Sequence, residues 1–136
     1  MKNHNETGVR RLRLAAVGLV QVLLAVPMGA GGVQKLLGTD AMVDMFADIG
    51  AGQWLRVVVG ALEIVGAVGL LVPRLSGVAA LGLAGVLAGA AVTNVAVLDV
   101  SPALPLGLLA LALLVVWIRR DQLPATPSLD RLRITS

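Results

Sequence analysis

The chain has 136 residues, of which 57% are hydrophobic and 14% charged, and its mean hydropathy is +0.90. A soluble domain with this balance would expose large apolar patches, so the composition indicates an integral membrane protein. The formal net charge is +3, but the basic residues stand at the ends of apolar runs, which is typical of membrane topology signals rather than of a nucleic-acid surface. Cysteine is absent and the single histidine, His4, is N-terminal. We therefore expect no nucleic-acid partner, no metal site and no cofactor held by this chain alone.

The apolar segments predict an all-α fold, an integral membrane four-helix bundle over residues 14–118. The four membrane helices are expected at about residues 14–34, 56–73, 75–98 and 102–118. Residues 1–13 are polar and basic, and we expect them to form a disordered or headgroup-bound cytoplasmic tail. Residues 119–136 are predicted to form a second, mobile cytoplasmic tail.

A short amphipathic helix is expected within residues 36–55, which are too polar to span a bilayer. Its apolar side chains fall on one face, and three carboxylates, at Asp40, Asp44 and Asp48, fall on another. We interpret the carboxylates as a solvated face. The pattern predicts an external helix between membrane helices 1 and 2, lying over the mouth of the bundle.

The first membrane helix carries small residues and one amide, Gln21, on a single stripe, which predicts a packing face. Lys35 stands near the end of the same stripe. A lysine at a helix end often extends to the interface, and the alternative is that Lys35 pairs with Glu63.

The second membrane helix contains the carboxylate of Glu63 within an apolar run that begins after Arg56. Seven residues at about 1.5 Å each place Glu63 some 10 Å inward from Arg56. A carboxyl group at that depth needs a partner or a proton. Its neighbours three and four positions away include Gly60, Gly66 and Ala67, so we expect Glu63 to face protein rather than lipid.

The third membrane helix contains Gly85 and Gly89 at the spacing of a close helix-packing motif, which would also suit a homo-oligomer. Thr93 and Asn94 follow near its end. The Asn94 amide fits a ligand pocket, and a structural hydrogen bond between helices would explain it equally well. The fourth membrane helix has no polar side chain after Ser101 and is expected to face lipid.

Nine basic residues fall on one predicted side of the membrane, and only Lys35 and Arg56 fall on the other. Because an excess of Lys and Arg marks the cytoplasmic side, we expect a multi-pass protein of the cell membrane with both termini cytoplasmic. Lys35, Glu63 and Asn94 then lie in the outer half of the bilayer, with Gln21 deeper. This convergence fits a small-molecule pocket or a structural polar cluster.

The segments GVQKL at residues 32–36 and RVVVGALEIVGAVGLL at residues 56–71 resemble the DoxX-like family. The resemblance covers roughly residues 14–118 and includes a small-residue third helix ending in Thr93-Asn94. It implies four membrane helices, with Lys35 and Glu63 as the functional pair. Some members are small subunits of thiosulfate:quinone oxidoreductases or occur in membrane-associated oxidoreductase complexes.

Three functions follow as hypotheses. The first is an accessory subunit of a membrane or peripheral oxidoreductase, or a protein that binds a lipophilic, quinone-like molecule. The second is a small membrane enzyme in which Glu63 and Lys35 are catalytic, Glu63 as general acid or base, while Gln21, Asn94 and Thr93 bind the ligand. The third is a proton-coupled transporter, which the scarcity of aromatic residues disfavours.

Overall fold

Five α-helices make up the computed structural model, which describes residues 2–123. They are α1 (Lys2–Leu37), α2 (Asp40–Ile49), α3 (Gln53–Leu71), α4 (Ser76–Ala96) and α5 (Ala103–Ile118), followed by a 3₁₀ turn at Arg120–Gln122. Helices α1, α3 and α4 are long and apolar enough to cross a membrane, and α5 is a shorter apolar helix. The predicted all-α, multi-pass membrane bundle is confirmed, and its helices contact the lipid bilayer. The short amphipathic helix between the first two membrane helices is α2.

The four apolar helices form a ring in the order α1, α3, α4, α5, with α5 packing back on α1. The core consists of aliphatic and small side chains from all four: Leu24, Met28, Ala67, Leu70, Ala80, Leu83, Ala84, Leu87, Ala112 and Val115. Small residues on α3 allow α4 to approach closely. A Cβ added at Gly66 would lie 2.5 Å from the Leu83 side chain, and one at Gly69 would lie 2.8 Å from the Ala79 Cβ.

The N-terminal segment, expected to be either disordered or bound to headgroups, is helical, because α1 begins at Lys2 rather than near Leu14. Once the membrane portion of a helix exists, each added residue extends it without a new nucleation step. Glu6 and Arg10 stand four positions apart in the orientation that favours helix extension.

The segment after α5 also differs from a freely mobile tail in the part that the structure describes. The Gln122 side chain donates to the Pro73 carbonyl at 2.6 Å and accepts from the Gly77 backbone N–H at 3.0 Å. Gln122 therefore fastens the chain after α5 to the turn between α3 and α4. The rest of the predicted tail, residues 124–136, lies outside the described residues.

The predicted close packing at Gly85 and Gly89 is wrong within this chain. Both glycines are exposed, and a Cβ added at either would meet nothing within 4 Å. The fourth membrane helix, expected to face lipid, also has a face on the bundle, since Pro105, Ala112 and Val115 of α5 are buried. Polarity does not separate these faces, because an apolar side chain suits both lipid and the bundle core.

Candidate functional site

Lys35 and Glu63 form an ion pair between α1 and α3. The Lys35 Nζ lies 2.9 Å from Oε2 and 3.1 Å from Oε1 of Glu63, so it donates to both carboxylate oxygens. The two side chains are 15% and 9% exposed. The sequence left two alternatives for Lys35, extension to the membrane interface or pairing with Glu63. In the structure, Lys35 pairs with Glu63.

The geometry of the two helices explains why these side chains meet. Gly32 packs on Gly60 and Gly29 lies near Ala67, so α1 and α3 run antiparallel. Side chains on a helix lean toward its N-terminus. Lys35 therefore leans inward along α1, Glu63 leans toward the start of α3, and the two charged groups converge.

A close crossing of α1 and α3 lies directly beside the ion pair. A Cβ added at Gly32 would lie 2.8 Å from the Gly60 carbonyl oxygen, and one at Gly60 would lie 2.9 Å from the Lys35 Cβ. These distances are too short for any side chain. Only glycine at both positions lets the helices approach closely enough for Lys35 to reach Glu63 one turn away.

Arg56 fixes the end of α1 against the start of α3. Its guanidinium donates to the Lys35 backbone carbonyl and, through Nε, to the Gln53 side-chain oxygen at 2.8 Å. Gly38, with φ +66°, ends α1 in the left-handed conformation that an L side chain rarely adopts. Arg56 thus satisfies a carbonyl at the helix C-terminus and holds the backbone of Lys35 in place.

Helix α2 is held over this crossing by a side-chain bond from α3. The Gln53 Nε2 donates to the Val43 carbonyl of α2 at 3.0 Å. Phe46 of α2 is buried, whereas Asp40, Asp44 and Asp48 are exposed. The amphipathic pattern therefore orients α2 with its apolar face on the bundle.

A cavity of about 320 Å³ lies between α2, α3 and α4, with the ion pair on its wall. Most of its lining is apolar and comes from Met45, Phe46, Ile49, Leu55, Val59, Val86, Ala90 and Leu98. Among the residues that the structure describes, the charged groups on the lining are Lys35 and Glu63. An apolar chamber with a few polar groups placed together is the general form of a small-molecule site.

Thr93 and Asn94 of α4 line the same cavity. The Thr93 hydroxyl donates to the Gly89 carbonyl at 2.8 Å, and the Asn94 amide donates to the Ser101 carbonyl at 3.0 Å. The Thr93 hydroxyl proton and one of the two Asn94 amide N–H groups are therefore engaged, and the oxygens of these side chains retain acceptor capacity toward a ligand.

Gln21 lies elsewhere. It is buried, at 8% exposure, but it is not on the lining of this cavity. It stands fourteen residues before Lys35 in α1, about 21 Å along the axis. Its Nε2 has no hydrogen-bond partner within residues 2–123. The structure thus joins Lys35, Glu63, Thr93 and Asn94 in one site and leaves Gln21 out of it.

The electrostatics of the site follow from the ion pair. Each charge is removed from water, and the attraction between them offsets that cost only because both are held in hydrogen-bonding geometry. An ammonium has three donors, and two of the Lys35 donors are directed at Glu63. The pair can therefore donate one more hydrogen bond and accept others at the carboxylate, which suits a neutral polar head group.

Several residues of the cavity were not predicted from the sequence. Gly85 and Gly89 line it, where the absence of side chains leaves space rather than a helix contact. Nothing in the sequence distinguishes Leu55 and Val59 of α3 or Val86 of α4 from the other apolar residues of a membrane helix. The one available signal was the amphipathic face of α2, which contains Met45, Phe46 and Ile49.

Comparison with protein-family models matches residues 19–117 to the model of the DoxX-like family. This range includes α3, α4, most of α5 and every residue that lines the cavity. Comparison with curated proteins and with solved structures found no match.

Proposed function

This chain belongs to the DoxX-like family, and we propose that it binds a lipophilic small molecule in the cavity beside α2. The polar head of that molecule lies on Lys35 and Glu63, and its apolar body fills the remaining volume. The observation that carries the proposal is the ion pair on the wall of an otherwise apolar cavity. A cluster that served structure alone would not need an open chamber next to it.

Access from the bilayer supports a lipophilic ligand. Gly85 and Gly89 line the cavity and are exposed within the span of α4. A molecule dissolved in the membrane can therefore approach the cavity between helices without crossing water. A volume of about 320 Å³ is at the lower end of ordinary ligand sites, which suits a single ring inside the cavity with any longer chain extending past Gly85 and Gly89 into the bilayer.

The class of ligand that we propose is quinone-like. A quinone carbonyl can accept the remaining Lys35 donor, and a quinol hydroxyl can donate to Glu63 or to the free oxygens of Thr93 and Asn94. Some members of the DoxX-like family are small subunits of quinone-linked oxidoreductases, which favours the same class. We therefore propose that the protein serves a membrane oxidoreductase as an accessory subunit.

A second function, proton transfer to the bound molecule, is favoured by the contact of Lys35 with both oxygens of Glu63. A carboxylate in direct hydrogen bond with an ammonium can receive and return a proton without a water chain. Glu63 would then act as general acid or base on a ligand held in the cavity.

Identification of the co-purified molecule tests the binding proposal. The protein is purified from its native membrane in mild detergent, and the extracted lipids are analysed by mass spectrometry. Gly89→Leu should fill the cavity and remove an isoprenoid quinone that accompanies the wild type. Gly82→Leu on the same helix is the matched control, since Gly82 is also open to a Cβ but does not line this cavity. Identical extracts from wild type and Gly89→Leu would contradict the proposal.

Partner identification tests the oxidoreductase association separately. Crosslinking in the native membrane before purification should recover a second protein that carries a redox cofactor. Recovery of this chain alone, or with itself only, would contradict an accessory role while leaving ligand binding open to its own test.

A further inference from the structure

A group of arginines surrounds two cavities at the opposite end of the bundle from α2. The first cavity, of about 260 Å³, is lined by Arg10 and Arg13 of α1 and by Arg119. The second, of about 280 Å³, shares Arg13 with the first and adds Arg120. The cavities therefore adjoin, between the N-terminal part of α1 and the end of α5.

The charges of this group are strongly unbalanced. Four guanidinium groups line the two cavities, and among residues 2–123 the one carboxylate on the lining is Asp121. Within residues 2–123, the only ion pair joins Lys35 to Glu63, so none of the four arginines is in an ion pair there. The Nε of Arg119 is buried and has no hydrogen-bond partner in that part of the chain. A buried N–H without an acceptor costs free energy that a bound anion would recover.

The surroundings of the arginines are those of a membrane interface. Leu14, Val17 and Ile118 form the apolar wall of the first cavity. Trp117 is 61% exposed, and its ring centre lies 5.1 Å from the guanidinium carbon of Arg120. Exposed tryptophan at the end of a membrane helix belongs at headgroup depth. A ligand here has an anionic part among the arginines and an apolar part along the helices.

We infer that these arginines bind the phosphate of an anionic phospholipid. The phosphate lies between α1 and α5, where planar guanidinium groups can donate two parallel hydrogen bonds to its oxygens. The acyl chain lies along Leu14, Val17 and Ile118. This site is separate from the cavity beside Lys35 and Glu63, and the inference does not depend on the proposed function.

Retention of lipid by single variants tests the inference. The full chain is reconstituted in vesicles of phosphatidylcholine with a minor share of phosphatidylglycerol, released, and examined by native mass spectrometry. The wild type should retain phosphatidylglycerol in preference to phosphatidylcholine. Arg10→Gln and Arg13→Gln should each lower that preference at least about ten-fold, because each removes a hydrogen bond to the charged phosphate.

Arg11→Gln is the matched control, because Arg11 stands between these two residues in the sequence but lines neither cavity. It should leave the preference unchanged. An equal loss in Arg11→Gln would overturn the site, since net charge alone would then explain retention. Absence of any preference in the wild type would overturn it as well.

Competition with inorganic phosphate shows whether the arginines hold the phosphate of a phospholipid or a free phosphate ion. Added to the released protein, it should fail to displace phosphatidylglycerol, because it cannot occupy the apolar wall. Displacement by phosphate at a concentration comparable to that of the lipid would overturn the assignment to a phospholipid. Arg10, Arg13 and Arg120 are all exposed, so replacing any one of them by Gln leaves the core intact, and Arg120→Gln should lower the preference as the other two variants do.

Discussion

The ammonium of Lys35 and the carboxylate of Glu63 stabilise each other, but their surroundings are unequal. Lys35 lies in the last turn of α1, where a lysine can reach the interface if its partner is lost. Glu63 lies in the middle of α3 and has no such route. Loss of the lysine should therefore be more damaging than loss of the carboxylate.

We predict that Lys35→Met lowers the free energy of unfolding by roughly 3 kcal/mol, because it leaves a buried charge without its partner. The double variant Lys35→Met/Glu63→Gln removes both charges and should recover most of that loss. Unfolding by a denaturing detergent in mixed micelles measures both. Equal stability of Lys35→Met and wild type, or no recovery in the double variant, would contradict the structural role of the pair.

Sequence reasoning identified Lys35 and Glu63 because charged residues within apolar membrane segments are rare and need a partner. It could not identify the bond from Arg56 to the Lys35 carbonyl, since an arginine at the end of an apolar run looks like an ordinary interface charge. It also grouped Gln21 with the site, because depth in the membrane can be counted along a helix but lateral position cannot.

Among the elements, the helix contacts depend on which glycines face a neighbouring backbone. Gly32 and Gly60 lie at the crossing of α1 and α3, while Gly85 and Gly89 of α4 border open space. The sequence contains small residues at helical spacing in both places, so it predicted packing in both. Only the arrangement of the helices shows that the second set forms the wall of a cavity.

We predict that Gly60→Ala lowers the melting temperature of the protein in detergent, whereas Gly85→Ala leaves it unchanged or raises it. An added methyl at Gly60 would overlap Lys35 and the Gly32 backbone, at a cost of about 1–3 kcal/mol. At Gly85 the methyl meets nothing, and alanine is the better helix former by up to about 1 kcal/mol. Equal melting temperatures for the two variants would contradict the assigned faces.

For the whole molecule, hydropathy was enough to predict the membrane bundle and the small amphipathic helix, because a bilayer restricts the available folds so strongly. The ring order α1, α3, α4, α5 and the cavity under α2 depend on how the side chains pack. A run of apolar residues in the sequence does not specify that packing. The N-terminal extension of α1 was missed because polar residues at a chain end are usually disordered.

The orientation in the membrane is a prediction from charge: nine basic residues on one side against two on the other. Single cysteines are clean probes, since the chain has none of its own. A membrane-impermeant maleimide added to intact cells should label Asp44→Cys and not Asn5→Cys. Labelling of Asn5→Cys before the cells are opened would reverse the assignment.

The proposed function requires that Glu63 contacts the ligand in the cavity, and equilibrium binding of that ligand tests this contact. A radiolabelled short-chain benzoquinol, kept reduced and able to donate its hydroxyl to Glu63, is titrated into protein held in nanodiscs, for wild type, Glu63→Gln and the control Glu6→Gln, which makes the same chemical change on the exposed part of α1. We predict that Glu63→Gln inserts and folds normally but binds at least about ten-fold more weakly, since a hydrogen bond to a charged group is lost. Glu6→Gln should bind like the wild type. Equal affinity of wild type and Glu63→Gln would make the carboxylate structural and contradict the site.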